Sequence, residues 1–145
     1  MTETTPNLLQ QLGRSSRAMY GAFESRVGHA LPRWRILKSL EELEVASQKQ
    51  LACHLQMDPG ALTRQLKLLE ADKLVRRDTD PSDNRQIRVT LDEAGRALLL
   101  AAAPQRQAFF AQALDGIDAE RLATALEVLR QLEARFRAMS AAGAD

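Results

Sequence analysis

Apolar residues recur every three or four positions over most of the chain, which is the period of an amphipathic helix. The pattern predicts a first helix that begins near Asn7 and ends at Gly28, because glycine adopts a left-handed cap cheaply. A second helix is predicted to open at Pro32, since proline is favoured in the first helical turn. Asp92 and Asp118 can each cap one of two further Leu-rich helices.

Two short helices joined by a tight turn are predicted in the middle of the chain. Ser47 and Gln50 form a capping-box pattern, and Asp58 followed by Pro59 is a second helix start. The positions expected to face inward are Leu51, Ala52, Leu55, Leu62, Leu66 and Leu69. This arrangement is typical of a helix-turn-helix.

A β-hairpin is predicted directly after these helices. Two β-prone runs, residues 74–77 and 87–91, flank a loop of Asp, Pro, Ser and Asn. The hairpin carries four arginines: Arg76, Arg77, Arg85 and Arg88. A basic hairpin after two short helices is what a winged DNA-binding domain requires. The predicted fold class is therefore mainly α with a small β-hairpin wing.

The terminal helices are longer than the central region can cover. Pro104 should kink or divide the helix that runs from Asp92 to about Leu114. Leu-rich helices of this length need a partner, and the simplest partner is a second copy of the chain. We therefore expect a homodimer with an N-terminal dimerisation helix (1–30), a winged helix-turn-helix domain (31–92) and C-terminal dimerisation helices (93–145).

Charge refines this picture only locally, because the formal net charge is +1. Residues 45–91 hold eight Lys and Arg against six Asp and Glu, whereas residues from 92 onward hold six against eight. Nucleic-acid binding would therefore depend on clusters in the middle of the chain.

Several classes of protein are not favoured. The single cysteine leaves no internal disulfide and fits a reducing compartment. Neither a signal peptide nor an apolar run of roughly 20 residues is recognisable, so a cytoplasmic protein without a membrane partner is expected. Without a Gly-rich phosphate loop, a nucleophile motif or a metal-ligand set, we expect no enzymatic activity, no cofactor and no metal.

The order of elements and several motifs resemble the MarR family of bacterial transcriptional regulators. Residues 80–85 read Asp-Pro-Ser-Asp-Asn-Arg and residues 89–95 read Val-Thr-Leu-Asp-Glu-Ala-Gly, similar to the wing signature of the family. Residues 47–52 resemble its positioning helix and residues 58–64 the start of its recognition helix. Gly60 and Ala61 stand where the family usually has hydroxyl residues. The resemblance covers about residues 8–140 and implies a homodimeric repressor that a small ligand releases from DNA.

The resemblance implies that the second helix of the helix-turn-helix lies in the major groove of double-stranded DNA. Arg64 is the candidate for bidentate contact to guanine, and Arg85, oriented by Asp83, for the minor groove. The full set of expected DNA-binding residues is Ser47, Lys49, Gly60, Ala61, Thr63, Arg64, Lys67, Asp83 and Arg85. Two copies would read a pseudo-palindrome with half-sites about 10 bp apart.

In the family, effectors bind between the dimerisation helices and the winged domain. The matching ligand-binding candidates here are Arg14, Arg17, Tyr20, Phe23, Arg33 and Trp34, with Met19 and His29 nearby. Aromatic rings stack on flat ligands and arginine pairs with carboxylates, so a small aromatic acid is the expected effector. Phe23 and Trp34 at helical spacing more often belong to the core, and Arg14 and Arg17 more often form surface or dimer salt bridges.

Two alternatives remain at this point. Cys53 can make the chain a redox-responsive regulator if a neighbouring cation lowers the pKa of its thiol. Alternatively, the Leu-rich terminal helices are themselves the function, in a helical protein-interaction module without operator specificity.

Overall fold

The computed structural model describes residues 4–143, and their side chains from residue 7 onward. Within that range the order of elements is α1 (Thr4–Val27), α2 (Leu31–Leu43), β1 (Val45–Ser47), α3 (Gln48–Leu55), α4 (Pro59–Ala71), β2 (Val75–Thr79), β3 (Ile87–Leu91), α5 (Glu93–Leu114) and α6 (Ala119–Ala142). The prediction of a mainly helical fold with a hairpin wing is confirmed.

The first two helices meet through an apolar face. α1 buries Phe23 and Val27, and Gly28 follows it with a φ of +85°, the left-handed conformation that the sequence predicts there. α2 has proline in its first turn and buries Trp34 and Leu37.

The helix-turn-helix is built from two capped helices, as predicted. Ser47 and Gln50 form the complete capping box of α3, and Asp58 caps α4. Gln56 makes the turn between them in the left-handed conformation, with a φ of 54°. The buried residues of the pair are the predicted ones: Leu51, Ala52, Leu55, Leu62, Leu66 and Leu69.

The described strands form an antiparallel sheet in the order β1-β3-β2. β2 pairs with β3 from Val75 opposite Leu91 to Thr79 opposite Ile87, which is the predicted hairpin with a longer first strand. The sequence did not predict β1, whose three residues pair with β3 and fix the hairpin beside the start of α3.

α5 continues through Pro104 rather than dividing there. Its first part belongs to the core, because Gly95, Leu99 and Ala102 are buried. α6 begins at its predicted cap, Asp118, and none of its own residues, all of which are described, is buried.

The chain separates into two compact units, one up to Phe109 and one from Phe110. The first unit therefore contains α1 and most of α5 in addition to the winged domain, because these helices pack on it. Among the described residues, no helix is long and apolar enough to cross a membrane.

Candidate nucleic-acid interface

The first turns of α4 present the residues that the sequence assigns to the major groove. The Asp58 carboxylate accepts a hydrogen bond from the Ala61 N–H at 3.0 Å and so fixes the helix start. A Cβ at Gly60 would lie 3.1 Å from that carboxylate, so glycine leaves the cap undisturbed. Arg64 and Lys67 are exposed on the same helix. Positively charged groups therefore stand on an exposed, well-fixed helix.

The two expected DNA-binding residues at the start of α3 have different environments. Lys49 is exposed, but Ser47 is only 8% exposed and its hydroxyl already accepts a hydrogen bond from the Gln50 N–H at 3.0 Å. The Ser47 side chain is thus primarily the helix cap, and only its hydroxyl proton is left to donate.

A cleft of about 720 Å³ joins the helix-turn-helix to the wing tip. Its lining includes predicted DNA-binding residues from separate parts of the chain: Ser47, Lys49, Thr63 and Arg85. Gln48, Cys53, Met57 and Ile87 also line it, and no spacing rule in the sequence brings them together. The fold therefore brings the positioning helix, the recognition helix and the wing to one surface.

The wing tip holds Arg85 out from the protein. Its side chain is 92% exposed, and its Nε lies 3.3 Å from the Asp83 Oδ1 atom. The Arg85 backbone N–H donates to the same oxygen at 3.1 Å. The pairing expected from the sequence is therefore present, and Asp83 fixes both the backbone and the guanidinium of Arg85.

A second turn at the tip was not predicted. Both the backbone N–H and the hydroxyl of Ser82 donate to the Asp80 carboxylate, at 2.8 and 2.6 Å. The Ser82 hydroxyl is the main reason why the pKa of Asp80 lies below its ordinary value. Asp80 therefore keeps its charge and shapes the loop that carries Arg85.

The other three arginines of the hairpin have different surroundings. Arg76 is exposed and lies 3.8 Å from Asp78, while Arg88 stands opposite Asp78 in the strand register. The Arg77 side chain is only 16% exposed and pairs with Glu70 at 3.0 Å. The sequence offered no means of separating Arg77 from its neighbours, because burial depends on the packing of β2 against α4.

The ligand-binding candidates do not share one environment. Phe23 is fully buried and packs edge-to-face on Trp34 and Phe109, with ring centroids 6.0 and 5.4 Å apart. The Arg106 guanidinium lies 6.0 Å from the Trp34 ring centroid. These aromatic side chains are part of the core, which was the alternative interpretation of their spacing.

The charged and polar ligand candidates lie nearer the surface. Arg33, at the start of α2, forms an ion pair of 2.5 Å with Asp72 at the end of α4. Arg14, Arg17 and Tyr20 are exposed on α1. Met19 is exposed on α1, and His29 is half-buried.

Cys53 is an exposed free thiol on α3, on the wall of the cleft. Among the residues that the structure describes, no group of three or more His, Cys, Asp or Glu side chains could hold a metal ion.

Comparison with known proteins identifies the family. The MarR family model matches residues 30–87. The uncharacterized HTH-type transcriptional regulator YxaD of Bacillus subtilis is 32% identical over 123 residues, which are 83% of this chain and 85% of that protein.

Two solved structures share the fold. A mutant MarR from E. coli complexed with operator DNA has a TM-score of 0.78 at 21% identity, covering 90% of this chain and 94% of that one. Bordetella bronchiseptica BpsR, whose DNA binding is regulated by 6-hydroxynicotinic acid, has a TM-score of 0.79 at 20% identity, covering 86% and 91%. Together with the matching sequence of YxaD, the capped helix-turn-helix and the wing show that this chain belongs to the MarR family of DNA-binding transcriptional regulators and is not an enzyme.

Proposed function

We propose that the chain is a homodimeric cytoplasmic repressor that binds a pseudo-palindromic operator and is released by a small ligand. The observation that carries the proposal is the shared surface on which the cleft brings Lys49, Thr63 and Arg85 together. A duplex that occupies this surface meets the recognition helix and the wing at once.

In the major groove, α4 supplies the base contacts. Arg64 is exposed and can pair with the O6 and N7 atoms of guanine, while Ala61 and the methyl group of Thr63 suit a thymine methyl. Gly60 allows close approach of the backbone. Contacts to phosphate fall to Lys67, Lys49 and the hydroxyl proton of Ser47, which fix register without reading sequence.

In the minor groove, Arg85 is the reading residue. A narrow A·T-rich groove concentrates negative potential and attracts arginine. Arg85 donates to the Asp83 carboxylate from its backbone N–H and from its Nε–H, and these bonds hold the guanidinium in position before DNA arrives, so less side-chain freedom is lost on binding.

The effector is a small aromatic carboxylate. The regulation of BpsR by 6-hydroxynicotinic acid supports this class, since that ligand is an aromatic acid. In this chain, Arg14, Arg17 and Arg33 can pair with its carboxylate, and Tyr20 can stack on its ring. Phe23 and Trp34 are buried and would support such a site from below.

The test is operator binding by Arg85→Ala, measured by fluorescence anisotropy on duplexes from the DNA that flanks the chain's own gene. We expect this variant to bind more than tenfold more weakly than the wild type, because a desolvated minor-groove contact is lost. Replacing A·T by G·C pairs under the wing should weaken the wild type and leave Arg85→Ala almost unaffected.

The control is Arg76→Ala, which removes an equal charge from an exposed arginine on the same hairpin. Its affinity should stay within about threefold of the wild type, the size of a weakly held phosphate contact. Equal losses of affinity in the two variants would mean that the wing contributes only positive charge. Unchanged affinity in Arg85→Ala would reject the proposed role of the wing.

A further inference from the structure

Arg77 connects the wing to the helix-turn-helix. Its Nη2 donates to Glu70 Oε1 at 3.0 Å, and its backbone N–H donates to the other oxygen of the same carboxylate at 3.2 Å. Its Nη1 donates to Gln48 Oε1 at 3.3 Å. One guanidinium on β2 thus touches the last turns of α4 and the first residue of α3.

The hydrogen-bonded chain continues into the recognition helix. The Gln48 side-chain amide donates to the Thr63 hydroxyl oxygen at 3.3 Å, and that hydroxyl donates to the Pro59 carbonyl at 2.9 Å. The hydroxyl of Thr63 is therefore engaged both as an acceptor and as a donor on the protein side. With its oxygen fixed in this way, the side chain is held in one rotamer.

The charge of Arg77 is balanced within this network. The hydrogen bond from Arg77 holds the pKa of the Glu70 carboxyl below its ordinary value, so the ion pair is complete at neutral pH. A planar guanidinium can donate to Glu70 and Gln48 at the same time. A lysine ammonium, whose donors all lie on one nitrogen, cannot reproduce this geometry.

We infer that Arg77 is a positioning residue for sequence reading, and the inference rests on the proposed function. Through Gln48 it holds the Thr63 side chain so that the methyl group, rather than the hydroxyl, is presented to the major groove. Preference for thymine at one position of each half-site then depends on a half-buried residue of the wing. Thr63 is itself partly exposed, as such a contact requires.

The test measures the contribution of one thymine methyl group. Operator duplexes are prepared with uracil in place of each half-site thymine in turn, and affinity is measured by fluorescence anisotropy. For the wild type, removal of the thymine methyl at one position should lower the affinity about fourfold, the size expected for one buried methyl group. Thr63→Ser, which keeps the hydroxyl and removes the methyl, should show no loss at that position.

Arg77→Lys keeps the positive charge and breaks the bridge to Gln48. We expect its thymine-over-uracil ratio to fall from about fourfold to less than about twofold, with the salt dependence of binding unchanged. Gln48→Met, a substitution of similar size that leaves the Arg77–Glu70 pair intact, should lower the ratio equally. The double variant should be no worse than either single one, because both changes interrupt one path.

Arg76→Lys is the matched control on the same strand, and it should retain the fourfold ratio. A thymine-over-uracil ratio that stays at the wild-type value in both Arg77→Lys and Gln48→Met would overturn the inference. An equal loss of affinity for thymine and uracil duplexes, together with a weaker salt dependence of binding, would also overturn it, since that combination marks a phosphate contact. The melting temperatures of all variants identify any that fail to fold. If Arg77→Lys fails to fold, the thymine-over-uracil ratio of Gln48→Met decides the test.

Failure of the proposed function has a different signature. If the wild type binds operator and random duplexes equally, the proposed function fails. If it binds the operator specifically and no uracil substitution matters, the function stands and the inference about Arg77 is wrong.

Discussion

At the scale of single residues, Gly95 shows how a motif position serves the fold. It is buried at the start of α5, and a Cβ there would lie 2.3 Å from the Leu74 carbonyl oxygen and 2.8 Å from a methyl carbon of Leu91. The same carbonyl accepts a hydrogen bond from the Asp92 N–H at 2.9 Å. Only glycine lets the helix approach the base of the wing so closely.

Gly95→Ala should therefore lower the free energy of unfolding by about 1–3 kcal/mol, because the added methyl group collides with backbone. Urea denaturation followed by circular dichroism measures this loss. Gly21→Ala is the control, since nothing lies within 4 Å of a Cβ at that helical position and alanine should be neutral or stabilising there. A midpoint for Gly95→Ala equal to that of the wild type would contradict the collision.

Individual site residues could be predicted from the sequence where the signal is local. Asp83 and Arg85 are two positions apart, so their pairing follows from the motif. The pair between Arg77 and Glu70 was missed, because it depends on how β2 packs against α4. The burial of Phe23 and Trp34, which the ligand hypothesis placed in a pocket, is equally a result of tertiary packing.

At the scale of elements, helix starts are the best-predicted features. Each predicted cap is present, at Ser47, Asp58 and Asp118. These caps can be predicted because the capping side chain and the N–H that donates to it are only three residues apart. β1 was missed because three residues are too few to show an alternating pattern. Pro104 was expected to kink or divide α5, and the helix is not divided there.

The cap of α4 gives a prediction at this scale. Asp58→Ala removes the acceptor of the Ala61 N–H and should lower the free energy of unfolding by about 1 kcal/mol. Asp58→Asn should retain most of that stability, since asparagine caps helices as well as aspartate does. Urea denaturation distinguishes the two variants. Equal losses would mean that the charge at the helix N-terminus, rather than the hydrogen bond, stabilises α4.

At the scale of the whole molecule, α6 carries a half-exposed apolar stripe. Leu126, Leu129 and Phe136 share one face of the helix and are 44–48% exposed. Apolar side chains in such a row usually mark an interaction surface. The proposed occupant is a second copy of the chain.

Sedimentation should accordingly give twice the chain mass of 16.1 kDa. Leu126→Glu combined with Leu129→Glu should shift the protein to monomer and weaken operator binding more than tenfold, because a monomer holds one half-site. Gln131→Glu combined with Ala134→Glu adds the same charge to the opposite face and should leave the dimer intact. A dimer that survives the first pair of substitutions would exclude this stripe as its interface.

The ion pair between Arg33 and Asp72 has a consequence for the proposed release from DNA. Asp72 follows the last turn of α4, where the free carbonyl groups of a helix already carry partial negative charge. Arg33 neutralises the negative charge that Asp72 adds there. A ligand carboxylate that binds Arg33 competes with Asp72 for the same guanidinium. In the proposed function, ligand binding would thus leave α4 least stabilised at its last turn, the end opposite the one proposed to meet the bases.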